Sequence, residues 1–259
     1  MTTKALAEVK KFDIQALPEV SAIAEVMQNN LEGGMALTFP ELKVPAGGGL
    51  AWEIPTDGEE PLVEKELIGI LLDYHPFNIY FKDAYSGEKT LPTCVSRDGK
   101  TGDGVPGGQC RTCKLGGDVP EAWGTGKDGI GKACANRMRV SILLDGDTFP
   151  HTIALPPTSI KSLKEYLNAL TNRLKAYQTV VTRVKLIKAE SKGGVTYSQV
   201  SFSKASDLDK AEAGQMMAYA KTLRPFIRQS KLEEEAPPVA QEQNGTFDTD
   251  GNAVDEGDW

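Results

Sequence analysis

The sequence predicts a mainly β protein with helices, an α+β fold of antiparallel strands, on two observations. Apolar and polar residues alternate with period two in several segments rich in β-branched and aromatic residues, and turn residues separate these segments. Helical patterns do not follow every strand, which disfavours a parallel α/β arrangement. With 259 residues, the chain can form a core without disulfide bonds.

Residues 1–60 predict one amphipathic helix and then an extended arm. Within 18–31, Ile23, Met27 and Leu31 recur at helical spacing. This helix is expected to pack on the core or on a neighbouring subunit, which leaves a homo-oligomer open. Three prolines and three consecutive glycines interrupt the stretch that follows, so we expect short extended pieces there.

Residues 61–232 are expected to form the core. Segments 66–74 and 77–81 predict two strands separated by His75-Pro76, and two hairpins follow at 137–155 and 180–202. A helix with apolar residues on one side is predicted at 159–174, between the hairpins, and a final helix near residue 206. Five antiparallel strands with one helix between the third and fourth resemble an OB-type barrel.

All four cysteines fall within a 41-residue interval between the predicted strands, as Cys94, Cys110, Cys113 and Cys134. The C-x2-C pair can turn two thiolates toward one ion, and the other two cysteines complete a tetrahedral set, so the spacing predicts a structural zinc insert with four cysteine ligands at 94–134. Four cysteine ligands leave no open position for catalysis. Two disulfide bonds or a redox-active pair are the alternatives, and a reducing cytoplasm disfavours them.

The charge is distributed unevenly. The net charge is −7, yet residues 233–259 hold nine Asp and Glu and no Lys or Arg, which leaves 29 basic and 27 acidic residues elsewhere. Residues 82–188 hold 17 basic and 10 acidic residues. A basic body joined to an acidic end is typical of proteins that bind nucleic acid.

Single-stranded nucleic acid is bound by basic grooves that follow phosphates and by aromatic faces that stack on bases. Arg137 and Arg139 share one face of a predicted strand, and Arg183 and Lys185 alternate in the same way. If these strands adjoin, two basic rows form a groove beside the cysteine insert; the alternative is an ordinary solvated sheet face. The candidate contacts are Tyr74, Tyr80, Trp123, Lys127, Lys132, Arg137, Arg139, Arg183, Lys185 and Tyr197.

The segment 233–259 has too few apolar residues to offset the entropy of ordering, and we expect a disordered acidic tail. It ends with a large aromatic residue beside several carboxylates. Partner docking or self-masking through Asp255, Glu256, Asp258 and Trp259 is one interpretation, and a tail that only keeps the protein soluble is the other.

A β-rich basic core, a cysteine insert and an acidic end closed by an aromatic residue together resemble the single-stranded DNA-binding proteins of phages and bacteria. The insert is similar to that of T4-type phage helix-destabilising proteins, although their site uses a histidine and this one has four cysteines. The resemblance implies an OB-type fold and a bound Zn²⁺. It also implies a tail that recruits replication or recombination proteins and competes with DNA for the groove.

The sequence therefore predicts a non-enzymatic protein that coats single-stranded DNA. A zinc-ribbon regulator or adaptor, presenting Arg111 to duplex DNA or an RNA polymerase, is the alternative. An enzyme is disfavoured because His75 and His151 are the only imidazoles and the body's acidic residues are scattered. Since no segment has about 18 uninterrupted apolar residues or the features of a secretory signal, we expect a cytoplasmic protein without a membrane partner.

Overall fold

The computed structural model describes residues 12, 14, 20–31, 38–56, 58, 60–83, 91–191 and 194–230. Its helices are α1 (Val20–Leu31), α2 (Pro157–Thr171) and α3 (Lys210–Gln229). Its strands are β1 (Trp52–Ile54), β2 (Leu62–Glu64), β3 (Glu66–Tyr80), β4 (Cys94–Ser96), β5 (Thr101–Gly104), β6 (Gly108–Gln109), β7 (Ala135–Leu144), β8 (His151–Leu155), β9 (Val180–Glu190) and β10 (Thr196–Asp207). The chain is therefore mainly antiparallel β structure with a few helices.

The main sheet is organised around β3. Strand β7 pairs with β3 from Gly69 to Ile79, whereas β9 and β4 pair with the two ends of its opposite edge. Strands β7 and β8 form one hairpin and β9 and β10 another. The two predicted hairpins and the helix between them are confirmed, with α2 spanning Pro157–Thr171.

The predicted break at His75-Pro76 is wrong, because β3 is one continuous strand of 15 residues. Proline removes a backbone donor and is tolerated in a strand only where no ladder bond is needed. In the described residues, the pairing of β9 with β3 ends at Gly69 and that of β4 begins at Asn78. The ladder position beside Pro76 on this edge therefore needs no hydrogen bond from it.

Two apolar layers cover the two faces of the sheet. The inner layer places Leu163 and Leu170 of α2 against β3, β7, β9 and β10, and the outer layer places α1 and α3 against the opposite face. Trp52 is fully buried in the inner layer and Phe39 is buried in the outer one. The extended residues before β2 are thus part of the packed core and not a separate arm.

The predicted OB-type barrel is not closed within the described residues, since β8 and β10 do not pair with each other. Residues 40–42 lie along the edge of β8, where Thr152 accepts from the Leu42 amide and donates to the Pro40 carbonyl, both at 2.8 Å. At the edge of β10, the Val200 amide donates to Ser159 Oγ of α2 at 2.9 Å. Each strand that would close the barrel already has another partner at its edge.

Among the residues described, no helix is both long enough and apolar enough to cross a membrane.

The predicted final helix begins at Lys210, four residues later than expected. Asp209 caps it through a reciprocal pair of bonds with Glu212.

Candidate metal and nucleic-acid site

The cysteines occupy the connection between β3 and β7. Cys94 begins β4, which pairs with the end of β3 and so attaches the connection to the sheet. The Cys110 amide donates to the Lys100 carbonyl, and the Cys134 amide donates to the Leu115 carbonyl, each at 2.8 Å. Backbone hydrogen bonds therefore position three of the cysteines, although long glycine-rich segments separate them.

Cys110 and Cys113 form a tight turn. The Cys113 amide donates to the Cys110 carbonyl at 3.1 Å, and the Gly117 amide donates to the Cys113 carbonyl at 2.8 Å. The Leu115 amide points at Cys113 Sγ, 3.4 Å away. The Cys113 sulfur therefore has a backbone hydrogen-bond donor beside it.

The four cysteines line one small cavity of about 20 Å³. All four are free thiols. A Cβ on Gly102 would lie 2.9 Å from Cys94 Sγ, and one on Gly116 would lie 2.5 Å from Cys134 Cβ. Glycine at these two positions leaves the thiols room to converge, in a space that suits one atom-sized occupant.

Burial, followed by the charges of Cys113, Cys110 and Cys94, raises the pKa of Cys134 to about 12. The other three thiols are thus close enough to Cys134 to affect its ionisation. Within the described residues, however, no three or more His, Cys, Asp or Glu side chains form a group that could hold a metal ion. The donor types fit zinc, but the thiols are not gathered as a coordination shell, so the four-cysteine zinc site stays a prediction.

Trp123 is the most exposed of the predicted stacking residues, at 40%. Lys132 Nζ lies 4.8 Å from the centroid of its ring and 3.9 Å from Asp118 Oδ1. Lys127 is exposed in a short 3-10 turn nearby in sequence. The insert therefore presents one aromatic face to solvent with a cation held over the ring.

The predicted tyrosine contacts have different environments. Tyr74 is half-buried against the inner core and meets Tyr177 edge-on, with ring centroids 5.3 Å apart, so the core covers part of its ring and its contact with DNA stays a prediction. Tyr80 lines the cysteine cavity. Tyr197 is half-buried on β10 opposite Ala189 of β9.

Arg139 is the clearest correction to the predicted groove. It is only 5% exposed, and Nη1 donates to the Ser230 carbonyl, just after α3, at 3.4 Å. Met138, Val140 and Ile142 face the inner core, as the alternation predicts. The face that carries Arg139 is covered instead by outer-layer elements, because α3 packs across β3.

The second basic row is partly neutralised. Glu66 lies 3.3 Å from Arg183 Nε and 2.8 Å from Lys185 Nζ. The hydrogen bond from Lys185 lowers the pKa of Glu66, burial opposes this, and the charge of Arg183 adds to the lowering. Strand β3 also lies between β7 and β9, so the two predicted rows do not adjoin.

Sequence reasoning missed Asp73, a carboxylate that is 1% exposed on β3. Arg228 donates to both of its oxygens at 2.9 Å, Arg224 Nε lies 3.2 Å from Oδ1, and His75 Nδ1 lies 3.1 Å from Oδ2. These contacts join α3 to the central strand. Spacing could not reveal them, since Arg228 is 155 residues from Asp73.

The predicted tail at 233–259, with Asp255, Glu256, Asp258 and Trp259, lies outside the described residues. Comparisons with protein families, with curated proteins and with solved structures find no match for this chain.

Proposed function

We propose that this chain binds single-stranded DNA with little sequence preference, through an OB-like core, in phage-type replication or recombination. The observation that carries the proposal is the order of strand pairing. Counting only the five long strands, the first (β3) pairs with the second (β7) and the fourth (β9). The second then pairs with the third (β8), and the fourth pairs with the fifth (β10). The single helix α2 separates the third strand from the fourth.

An OB fold is a five-stranded, partly open barrel that binds oligonucleotides with the face of its second and third strands and two loops. One loop joins strands one and two, and here it is the cysteine connection between β3 and β7. The other joins strands four and five, and here it is the connection from β9 to β10. The features that suit nucleic acid thus occur on the connection that this fold uses for binding.

The chemistry of the cysteine connection supports the same function. Its exposed Trp123 offers a stacking face, and base stacking contributes about 1–3 kcal/mol per base without requiring a particular sequence. Lysines at 127 and 132 supply cations near it in sequence. Phosphate contacts would release counterions, which makes the affinity fall steeply with salt.

We include zinc in the proposal, held by Cys94, Cys110, Cys113 and Cys134. Bound zinc would supply cross-links within a segment too rich in glycine to form a core. The chain's own residues would shape the site: the turn at Cys110–Cys113 presents two thiols, and glycines at 102 and 116 let the other two approach.

The acidic tail completes the proposal as a regulator and a docking segment. Its nine carboxylates can compete with phosphates for the basic surface, and Trp259 can enter an apolar pocket on a replication or recombination protein.

The direct test is a fluorescence-anisotropy titration of the purified full chain with labelled oligo-dT and a duplex of equal length at two salt concentrations. Tight, salt-sensitive preference for the single strand supports the proposal. Preference for the duplex favours a zinc-ribbon adaptor, in which Arg111, exposed between Cys110 and Cys113, contacts the target. Absence of binding to either oligonucleotide overturns the proposal.

Intrinsic tryptophan fluorescence tests the stacking residue directly. Trp52 is fully buried and out of contact with a bound base, so in a chain with Trp259→Phe the change in emission on binding arises mainly from Trp123. Oligo-dT should quench this emission, and Trp123→Ala should weaken binding about five- to tenfold. Leu174→Ala is the matched control, because Leu174 is 96% exposed outside the insert. Equal affinities for the Trp123 and Leu174 variants would remove Trp123 from the interface.

A further inference from the structure

Three arginines converge where the cysteine connection meets the central strands. Arg137 pairs with Phe77 of β3, and Arg139 pairs with His75 two positions along. Arg97 directly follows β4, whose last residue Ser96 pairs with Asn78 on the opposite edge of β3. The arginines thus approach the end of β3 from both of its edges.

The deepest of the three is Arg139. Burial lowers its pKa, the carboxylate of Glu41 opposes that effect, and the charge of Arg97 adds to the lowering. Arg97 and Arg139 are therefore near enough to repel each other. Three guanidinium groups therefore lie near the end of β3, with the Glu41 carboxylate acting on the deepest of them.

A rigid turn presents Arg97. Asp98 Oδ1 accepts from Ser96 Oγ at 3.0 Å and from the Lys100 and Thr101 amides at 2.7 and 2.8 Å. A Cβ on Gly99 would lie 2.3 Å from Pro76 Cβ, so the turn packs directly on β3. The backbone at Arg97 is thus held at a defined position, which reduces the conformational freedom lost when a ligand binds.

Arg97 also has unused hydrogen-bonding capacity. Its Nε is buried and has no hydrogen-bond partner in the part of the chain that the structure describes. A buried N–H without an acceptor costs free energy, and a bound anion would remove that cost. Since Arg97 and Arg137 are only half-buried, a ligand can reach the cluster from solvent.

We infer that Arg97, Arg137 and Arg139 form a phosphate-binding subsite that takes one backbone phosphate of the bound single strand. The inference rests on the proposed function and deepens it by locating one contact. Guanidinium groups bind phosphate with paired N–H donors, a geometry that ammonium groups do not offer. In this subsite Arg97 and Arg137 contact the phosphate, and Arg139 lies behind them and adds positive potential.

The test compares Arg97→Gln with Lys210→Gln in the full chain, by oligo-dT titration over a series of salt concentrations. Lys210 is exposed at the other end of α3 from Ser230, about 30 Å along the helix, and its substitution removes the same charge. We expect Arg97→Gln to weaken binding roughly tenfold and to reduce the salt slope by about 0.7, the value for one phosphate of a single strand. Lys210→Gln should leave both quantities unchanged.

Two further arms distinguish the alternatives. If the unmodified chain binds oligo-dT and the two variants bind alike, the subsite is wrong while the proposed function stands; if the unmodified chain does not bind, both fail. Tighter binding by Arg97→Gln would assign the cluster to the acidic tail and overturn the subsite. Inorganic phosphate could stabilise the unmodified chain against heat but not the Arg97→Gln variant, while both chains bind oligo-dT with equal affinity. That result would indicate a site for free phosphate and overturn the contact with the strand. Arg97→Lys, which keeps the charge, should bind oligo-dT with an affinity between those of the unmodified chain and Arg97→Gln.

Discussion

Arg228 donates two hydrogen bonds to Asp73, from Nε to Oδ2 and from Nη2 to Oδ1, both 2.9 Å long. The Asp73 side chain is almost fully buried, whereas the Arg228 side chain is 48% exposed. Burial alone would raise the pKa of Asp73, but hydrogen bonds from His75 and Arg228 outweigh it and hold the pKa below its ordinary value of 3.8. This ion pair thus connects α3 to the central strand β3.

Replacing Asp73 with Asn should reduce the free energy of unfolding by on the order of 3 kcal/mol, since it removes the buried charge that the two arginines face. Asp207→Asn is the matched control. Asp207 is 44% exposed and pairs with Lys175 and Lys204, so its loss should cost less than about 1 kcal/mol. Urea unfolding of both variants measures the difference, and equal losses would show that the Asp73 pair is not a special anchor.

The contribution of Asp73 should depend on pH in a defined direction. A carboxylate whose pKa is lower in the folded state stabilises the fold fully above its unfolded pKa, and that stabilisation disappears as the pH falls through the folded value. The difference in unfolding free energy between the unmodified chain and Asp73→Asn should therefore shrink as the pH falls below about 4. A difference that grows on acidification would contradict this sign.

Metal analysis of the purified chain should find one zinc per molecule. Cys110→Ser should abolish it, whereas Thr112→Ala, inside the same turn, should retain it. Chelation should make residues 94–134 sensitive to protease, because the proposed ion is a main source of their order. A metal-free chain whose four thiols resist modification until a reductant is added would show disulfides and exclude the zinc site.

Deletion of residues 233–259 removes nine negative charges and should strengthen binding to oligo-dT, most clearly at low salt. Deletion of only 255–259 removes three of these charges and should have a smaller effect, while abolishing partner docking through Trp259. Anisotropy titrations of both truncated chains provide the measurement. Unchanged or weaker binding by the longer deletion would rule out masking.

Local pattern determined several features of this protein. Alternating residues and turn residues predicted both hairpins, helical spacing predicted the helix between them, and the C-x2-C pair predicted a tight turn whose two cysteines line one cavity. Each depends on residues near one another in sequence, and the local rules of backbone geometry and side-chain periodicity apply to them.

Only the tertiary structure decided which polar side chains are exposed to a ligand and which are buried by packing. Alternation correctly assigned Arg139 to the face opposite Val140, but α3, which begins 71 residues later, buries that face. Pro76 predicted a break, yet the absence of a strand beside it in the described residues lets β3 continue. The Asp73–Arg228 pair joins residues 155 apart, and such contacts depend on how sheet and helix pack, which no local pattern encodes.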